Sequence, residues 1–158
     1  MVGHSSNQIP PGQLLEFIPH KWPMRFVKEI HEASDQYVRS SVYFDASLPF
    51  YEGHFPTYPI TPGVLLTEAM AQAGILPMGI ILYWQENQEQ KTPAFVLTSD
   101  HVDYFLPVPP GSVLQVEAWQ SYFRFGKLKG RVEMKNEAGD LVARGTIAGM
   151  LGNQEKKA

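Results

Sequence analysis

Apolar side chains crowd one central segment of the chain and alternate with polar ones on either side of it. From Val64 to Leu76 the residues are apolar on nearly every helical face, interrupted by Thr67, Glu68 and Gln72. A helix of that kind belongs inside a protein. Thr61-Pro62-Gly63 opens it, with Thr61 as N-cap and Pro62 at the first helical position. Pro77 should kink or end the helix, and Met78 to Gln85 can resume it. The longest apolar stretch, Gly74 to Trp84, is broken by that proline and reads as too short to cross a bilayer.

The flanking segments have strand character. Before the helix, Arg25 to Glu32 and Gln36 to Asp45 are rich in β-branched and aromatic residues and are separated by the turn Ala33-Ser34-Asp35. After it, strands are expected over Ala94 to Phe105, Ser112 to Phe123, Lys127 to Lys135 and Leu141 to Met150. Their links carry Pro109-Pro110-Gly111, Phe125-Gly126 and Asn136-Glu137-Ala138-Gly139, which are turn formers. Short links between successive strands favour antiparallel meander pairing. A short helix over Gly12 to Ile18 is stopped by Pro19. The expected organisation is a lead-in over residues 1–11, one domain over 12–151 and a polar tail over 152–158. In this α+β domain, a sheet of about six strands curls around one buried helix.

Composition narrows the function classes. In 158 residues, 44% are apolar and 18% charged, which fits one folded domain. There is no cysteine, so disulfides and thiolate metal sites are ruled out. No signal peptide is visible, and the simplest reading is a cytoplasmic protein without membrane insertion. A net charge of −3 gives no reason to expect nucleic acid as a partner. Cations nevertheless cluster at Arg124, Lys127, Lys129 and Arg131, with Lys21, Arg25 and Lys28 near the N-terminus. Such patches suit an acidic partner, or simply form a solvated strand face.

The candidate chemistry lies between Gly53 and Gly74. His54 occupies a loop stiffened by Pro56, Pro59 and Pro62, and histidine is the commonest general base. Glu68 is a carboxylate on a helix that otherwise asks for apolar residues; burying it is costly unless it is paired or used, and its pKa should rise. The N–H of Gly63, at the positive end of the helix dipole, can hold a carbonyl oxygen as negative charge builds on it. Base, acid and oxyanion site suit proton abstraction beside a carbonyl with loss of a β-leaving group. Taken singly, His54 also reads as a hydrogen-bonded loop residue and Glu68 as a satisfied partner at a subunit contact. His20, His31 and His101 have no metal-ligand spacing, and no phosphate loop or nucleophile elbow is present.

His54-Phe55-Pro56, Pro59-Ile60, Pro62-Gly63-Val64 and Glu68-Ala69-Met70-Ala71-Gln72-Ala73 resemble the signature of the 3-hydroxyacyl-acyl carrier protein dehydratases of the FabZ type. Phe17 to Pro23 is similar to that family's N-terminal PHR-F-P element, and Phe105 to Gly111 to its RPVxPGD segment. The resemblance implies the hotdog fold and an assembly of dimers at minimum, often trimers of dimers. It implies an active site at the dimer interface, with histidine from one subunit facing glutamate from the other. His54 would then take the C2 proton of a 3-hydroxyacyl thioester. Glu68 would assist departure of the hydroxyl, directly or by positioning it, and the Gly63 N–H would bind the thioester carbonyl. The product would be the trans-2-enoyl thioester, with no metal or redox cofactor and with acyl carrier protein as partner. Tyr58, Leu65, Met70, Ile75 and Phe95 are candidates for an acyl tunnel, and Lys21, Arg25, Arg124, Lys127, Lys129 and Arg131 for carrier docking.

Some positions depart from the family pattern. Thr57-Tyr58 replaces a Gly-Lys or Gly-Asn pair, Pro77 interrupts the helix, Phe105-Leu106 stands where a basic residue is common, and Lys28-Glu29 where Asp-Arg is frequent. None removes a catalytic group; together they point to a divergent member. The rival readings are a hotdog acyl thioesterase, which would not need the histidine, and a non-catalytic hotdog partner subunit.

Overall fold

A computed structural model describes residues 9–153. Most of the expected lead-in and tail lie outside this range. The chain enters through a short helix α1 (Pro11–Leu14) continued by a tighter turn, Leu15–Phe17. Strands β1 (Val27–Ala33) and β2 (Tyr37–Tyr43) follow, then a long loop and helix α2 over Gly63–Asn87. Strands β3 (Ala94–Tyr104), β4 (Val113–Arg124), β5 (Lys127–Lys135) and β6 (Leu141–Gly152) complete the domain. This is the hotdog arrangement, with one long helix held in an antiparallel sheet of six strands.

The strand order is β1-β2-β4-β5-β6-β3. The expectation of simple meander pairing therefore holds for β4-β5-β6 and fails for β3, which pairs with β6 at the far edge. The segment between β3 and β4, Phe105 to Ser112, contains Pro107, Pro109 and Pro110. Three fixed φ angles cannot make a tight hairpin, so the link crosses the structure and β2 takes the place beside β4. Consequently β3 presents a free edge, and most of its residues are exposed.

Two features of α2 differ from the sequence reading. Thr61 is not its cap: the helix starts at Gly63 after an extended Pro62, and the Thr61 hydroxyl pairs with that of Tyr51 at 2.6 Å. Pro77 neither ends nor interrupts the helix. The turn Ala71–Ile75 widens, so that Leu76 N–H bonds the Ala71 carbonyl five residues back. A widened turn absorbs a proline whose ring would otherwise press on the preceding turn and whose missing N–H would leave a carbonyl unpaired. The uninterrupted 25-residue helix is thus long and apolar enough to cross a membrane, yet 78% of its most apolar window is buried inside this domain. Its apolar surface is already covered by the sheet.

The wrapping is tight. Gly74 faces the Ala118 methyl so closely that a Cβ there would lie 2.9 Å from it. At Gly145, on β6, an added Cβ would lie 2.0 Å from the His101 carbonyl oxygen of β3. That neighbour is backbone and cannot rotate away. Gly145→Ala is expected to lower stability by about 1–3 kcal/mol through overpacking, read as a fall of several degrees in thermal midpoint. Gly12→Ala, where a Cβ meets nothing within 4 Å, should leave the midpoint in place and serves as control. An unchanged midpoint in the Gly145 variant would contradict the close β3–β6 approach.

Candidate active site

The proline loop before α2 fixes His54 from within. Its Nδ1 lies 2.9 Å from the Ile60 carbonyl oxygen, and Ile60 N–H returns to the His54 carbonyl at 2.9 Å. A carbonyl only accepts, so Nδ1 carries the proton and Nε2 is left as a lone pair. The ring stacks on Phe55 at a centroid distance of 4.4 Å. The tautomer of this imidazole is set by the backbone of its own loop.

Glu68 sits one and a half turns into α2 and is partly buried. Gln72, one turn further in the widened segment, donates from Nε2 to Glu68 Oε1 at 2.8 Å and to the Met24 carbonyl at 2.7 Å. Its Oε1 accepts the Phe26 N–H at 3.0 Å. One buried amide thus ties the helix to the strand entering β1 and orients the carboxylate. His20 Nε2 approaches the same Glu68 oxygen at 3.3 Å. The hydrogen bond from His20 holds the Glu68 carboxyl below its usual range; burial pushes the other way, and Gln72 adds to the lowering. The expectation that burial would raise this pKa is therefore corrected: two donors outweigh desolvation, and Glu68 is ionised at neutral pH.

Glu68 opens into a cavity of about 400 Å³ lined by His20, Ala71, Gln72, Leu76 and Phe95 to Leu97. Gly63 opens into a second one, of about 380 Å³, lined by Thr61, Leu66 and the Tyr104 to Val108 segment. The first N–H groups of the helix to return to backbone are those of Leu65 and Leu66, both to the Pro62 carbonyl; among the described residues those of Gly63 and Val64 have no partner. Tyr104 bonds the Thr67 hydroxyl and lays its ring over Gly63, where a Cβ would meet it at 3.4 Å. Glu68 and Gly63 of one chain thus belong to different cavities, and His54 lines neither.

The other candidates separate by location. Phe95 lines the Glu68 cavity and packs its ring on Gly149. Met70 and Ile75 are completely buried in the core, Leu65 packs partly against it, and Tyr58 is exposed. Arg25 donates to the Leu15 carbonyl, and Arg131 stacks over Trp119 at 4.4 Å. Lys21 and Arg124 are exposed, while Lys127 and Lys129 are half-buried on β5. The residue missed from sequence is His20, set aside there for lack of metal spacing. Its signal was the pair of prolines around it, Pro19 and Pro23, within the family-like element at Phe17 to Pro23.

These groups can be compared with known proteins. A profile of the FabA-like domain matches residues 18–144. A Streptococcus equi protein named 3-hydroxyacyl-[acyl-carrier-protein] dehydratase FabZ is 38% identical over 145 residues, covering 89% of this chain and 96% of that one. A Clostridium perfringens protein of the same name is 35% identical over 128 residues, covering 78% of this chain and 88% of its own. Among solved structures, the dehydratase heterocomplex ApeI:P of Xenorhabdus doucetiae aligns with a TM-score of 0.69 at 19% identity, over 89% of this chain and 91% of the other. A hypothetical thioesterase protein of Streptococcus pneumoniae, solved with coenzyme A, aligns with a TM-score of 0.56 at 17% identity, over 81% of this chain and 88% of the other. At those identities the two structures speak to fold alone. The profile match runs through the His54 loop, the Glu68 helix and the His20 segment together, and with these relatives it shows that this chain belongs to the FabA-like domain family, as a divergent relative of the FabZ-type dehydratases.

Proposed function

We propose that this protein removes water from 3-hydroxyacyl thioesters carried on acyl carrier protein, giving trans-2-enoyl thioesters for fatty-acid or related lipid synthesis. The observation that carries the reading is the bare Nε2 of His54, left so by the bond from Nδ1 to Ile60. His54 Nε2 takes a C2 proton, and the electron pair moves into the thioester carbonyl, whose oxygen is received by the Gly63 N–H at the positive end of α2. That pair then forms the C2–C3 double bond as the C3–O bond breaks. The departing hydroxyl takes the proton held by His54 and leaves as water. Glu68, ionised, accepts the 3-hydroxyl as a hydrogen-bond donor and aims it. The elimination is redox-neutral, and the reading assigns it no metal or redox cofactor.

The separation of the Glu68 and Gly63 cavities supports a site built from two copies. Val96 and Leu97, at one end of β3, line the first cavity, and Tyr104, at the other end, lines the second. Two β3 edges paired antiparallel about their midpoint would bring the Glu68 cavity of one copy against the Gly63 cavity of the other. Val96 on that edge is 63% exposed, which a second copy would cover. A homodimer is the minimum unit of this reading, and a trimer of dimers is compatible with it. In register, Lys127 lies beside Met150, and Met150 beside Val96 at the first cavity. This favours Lys127, with Arg124 and Lys129, for docking an acidic carrier protein, in the cytoplasm.

The test is to incubate the protein with 3-hydroxyacyl and trans-2-enoyl carrier thioesters and follow water loss, hydration and free thiol. Dehydration without thiol release is expected; thiol release without enoyl product would favour a thioesterase, and no reaction a partner subunit. His54→Ala should lower kcat by about 10²–10⁴-fold. Retention of the wild-type rate would remove His54 from the mechanism. In solution the protein should run as a dimer or larger, and paired charges introduced at Val96 and Leu97 should shift it to monomer with loss of activity. A stable, active monomer would contradict the shared site.

The lowered Glu68 pKa also sets a stability profile. A carboxylate held down in the folded state stabilises it fully above the unfolded value, about 4.3, and loses that contribution as pH falls through the folded value. Between about pH 7 and pH 3 the wild-type protein should therefore lose more unfolding free energy than Glu68→Gln does. Equal losses in denaturant titrations would show that the folded protein does not favour the ionised carboxylate.

A further inference from the structure

Glu68 shares its cavity with one other titratable side chain, His20; the remaining walls, from α2 and β3, are Ala71, Gln72, Leu76, Phe95, Val96 and Leu97. Both donors to the carboxylate, His20 at 3.3 Å and Gln72 at 2.8 Å, fall on Oε1. Among the described residues no donor is assigned to Oε2. The Nδ1 of His20 is buried and has no hydrogen-bond partner. An N–H stranded there would be costly, so the ring proton belongs on Nε2, where it meets Glu68.

The chain holds His20 firmly in this place. Ile18 and Phe26, on either side of the segment, are each only 1% exposed. Phe17 accepts a bond from the Thr92 hydroxyl at 2.9 Å, and Arg25 donates back to the Leu15 carbonyl at 3.3 Å. Lys21, next in sequence, is exposed and makes none of these contacts. A histidine kept only for packing would not need its ring nitrogen on Glu68, the carboxylate in the buried part of the helix.

We propose that His20 is a positioning residue for the dehydration: with Gln72 it pins Oε1 of Glu68, so that Oε2 alone receives the 3-hydroxyl of the substrate. The inference rests on the reading of Glu68 as the carboxylate that receives that hydroxyl. Gln72 fixes the carboxylate along the helix, being one turn away on the same face. His20 fixes it across the cavity, from a different segment of the chain, and so sets the rotation about the carboxyl bond.

Two substitutions test it. His20→Ala removes the donor, while His20→Gln returns an N–H at about the reach of Nε2. Thermal midpoints establish folding, steady-state assays give kcat and KM, and carboxyl-¹³C NMR of labelled glutamate, assigned with Glu68→Gln, gives the titration midpoint of Glu68. The alanine variant should show kcat reduced on the order of 10- to 100-fold, the worth of one hydrogen bond to a charged group, with KM little changed. Its Glu68 midpoint should rise, and the glutamine variant should regain most of the rate. A wild-type kcat in His20→Ala, or an unmoved Glu68 midpoint, overturns the proposal. If the wild-type protein dehydrates nothing, the assignment of the reaction falls by itself, and the NMR midpoint still decides whether His20 holds Glu68.

Discussion

One carboxylate in the buried, largely apolar part of the central helix organises much of this domain. Burying Glu68 beside Ala69, Met70 and the core is costly for an ion left alone. The cost is met by two donors on one oxygen, and each donor recruits further structure. Gln72 uses its remaining hydrogen bonds on Met24 and Phe26, so the helix cannot slide relative to the entry into β1 without breaking them. His20 comes from the chain segment just before, held between buried Ile18 and Phe26. Removing the charge would take from His20 and Gln72 the acceptor they share.

The helix that carries this charge also opens at Gly63, whose N–H is the proposed donor to the thioester oxygen. Its widened turn, Ala71–Ile75, contains Gln72 and precedes Pro77. The same local distortion thus accommodates the proline and carries the amide that orients Glu68. Widened turns occur often at functional sites, where a helix must aim a side chain that regular geometry would misplace. His54, the proposed base, stands outside the helix, in a loop whose prolines and whose Nδ1–Ile60 bond leave it one free nitrogen. Rigid placement of each group is what the proposed elimination requires, because the C2 proton and then the hydroxyl of one bound substrate must each be met in place.

Much of this was legible in the sequence, and the reasons are local. The apolar run marked α2 as buried, alternation marked the strands to within a few residues, and the polar exceptions in the apolar context, Glu68 and Gln72, are the residues that matter. His54 stood out by its loop chemistry. What could not be read depends on contacts distant in sequence. His20 reaches Glu68 across 48 positions, and no spacing rule links them. The lowered pKa followed from that contact and from Gln72, so burial taken alone gave the wrong sign. The placing of β3 at the sheet edge depended on a link whose prolines forbid a hairpin, a signal present at Pro107, Pro109 and Pro110 but read as ordinary turn chemistry. The proline in the helix was absorbed because the preceding turn could widen, a choice that tertiary packing makes.

The central claim is that His54 and Glu68 act together across two copies of the chain. Mixing subunits tests it most directly. His54→Ala and Glu68→Gln, each inactive alone, are unfolded, refolded together in equal amounts and assayed for dehydration. In a two-fold dimer each mixed pair has one intact site, so a statistical mixture should recover about a quarter of the wild-type rate. Activity no higher than the sum of the separate variants, with mixed dimers confirmed by native mass spectrometry, would contradict it.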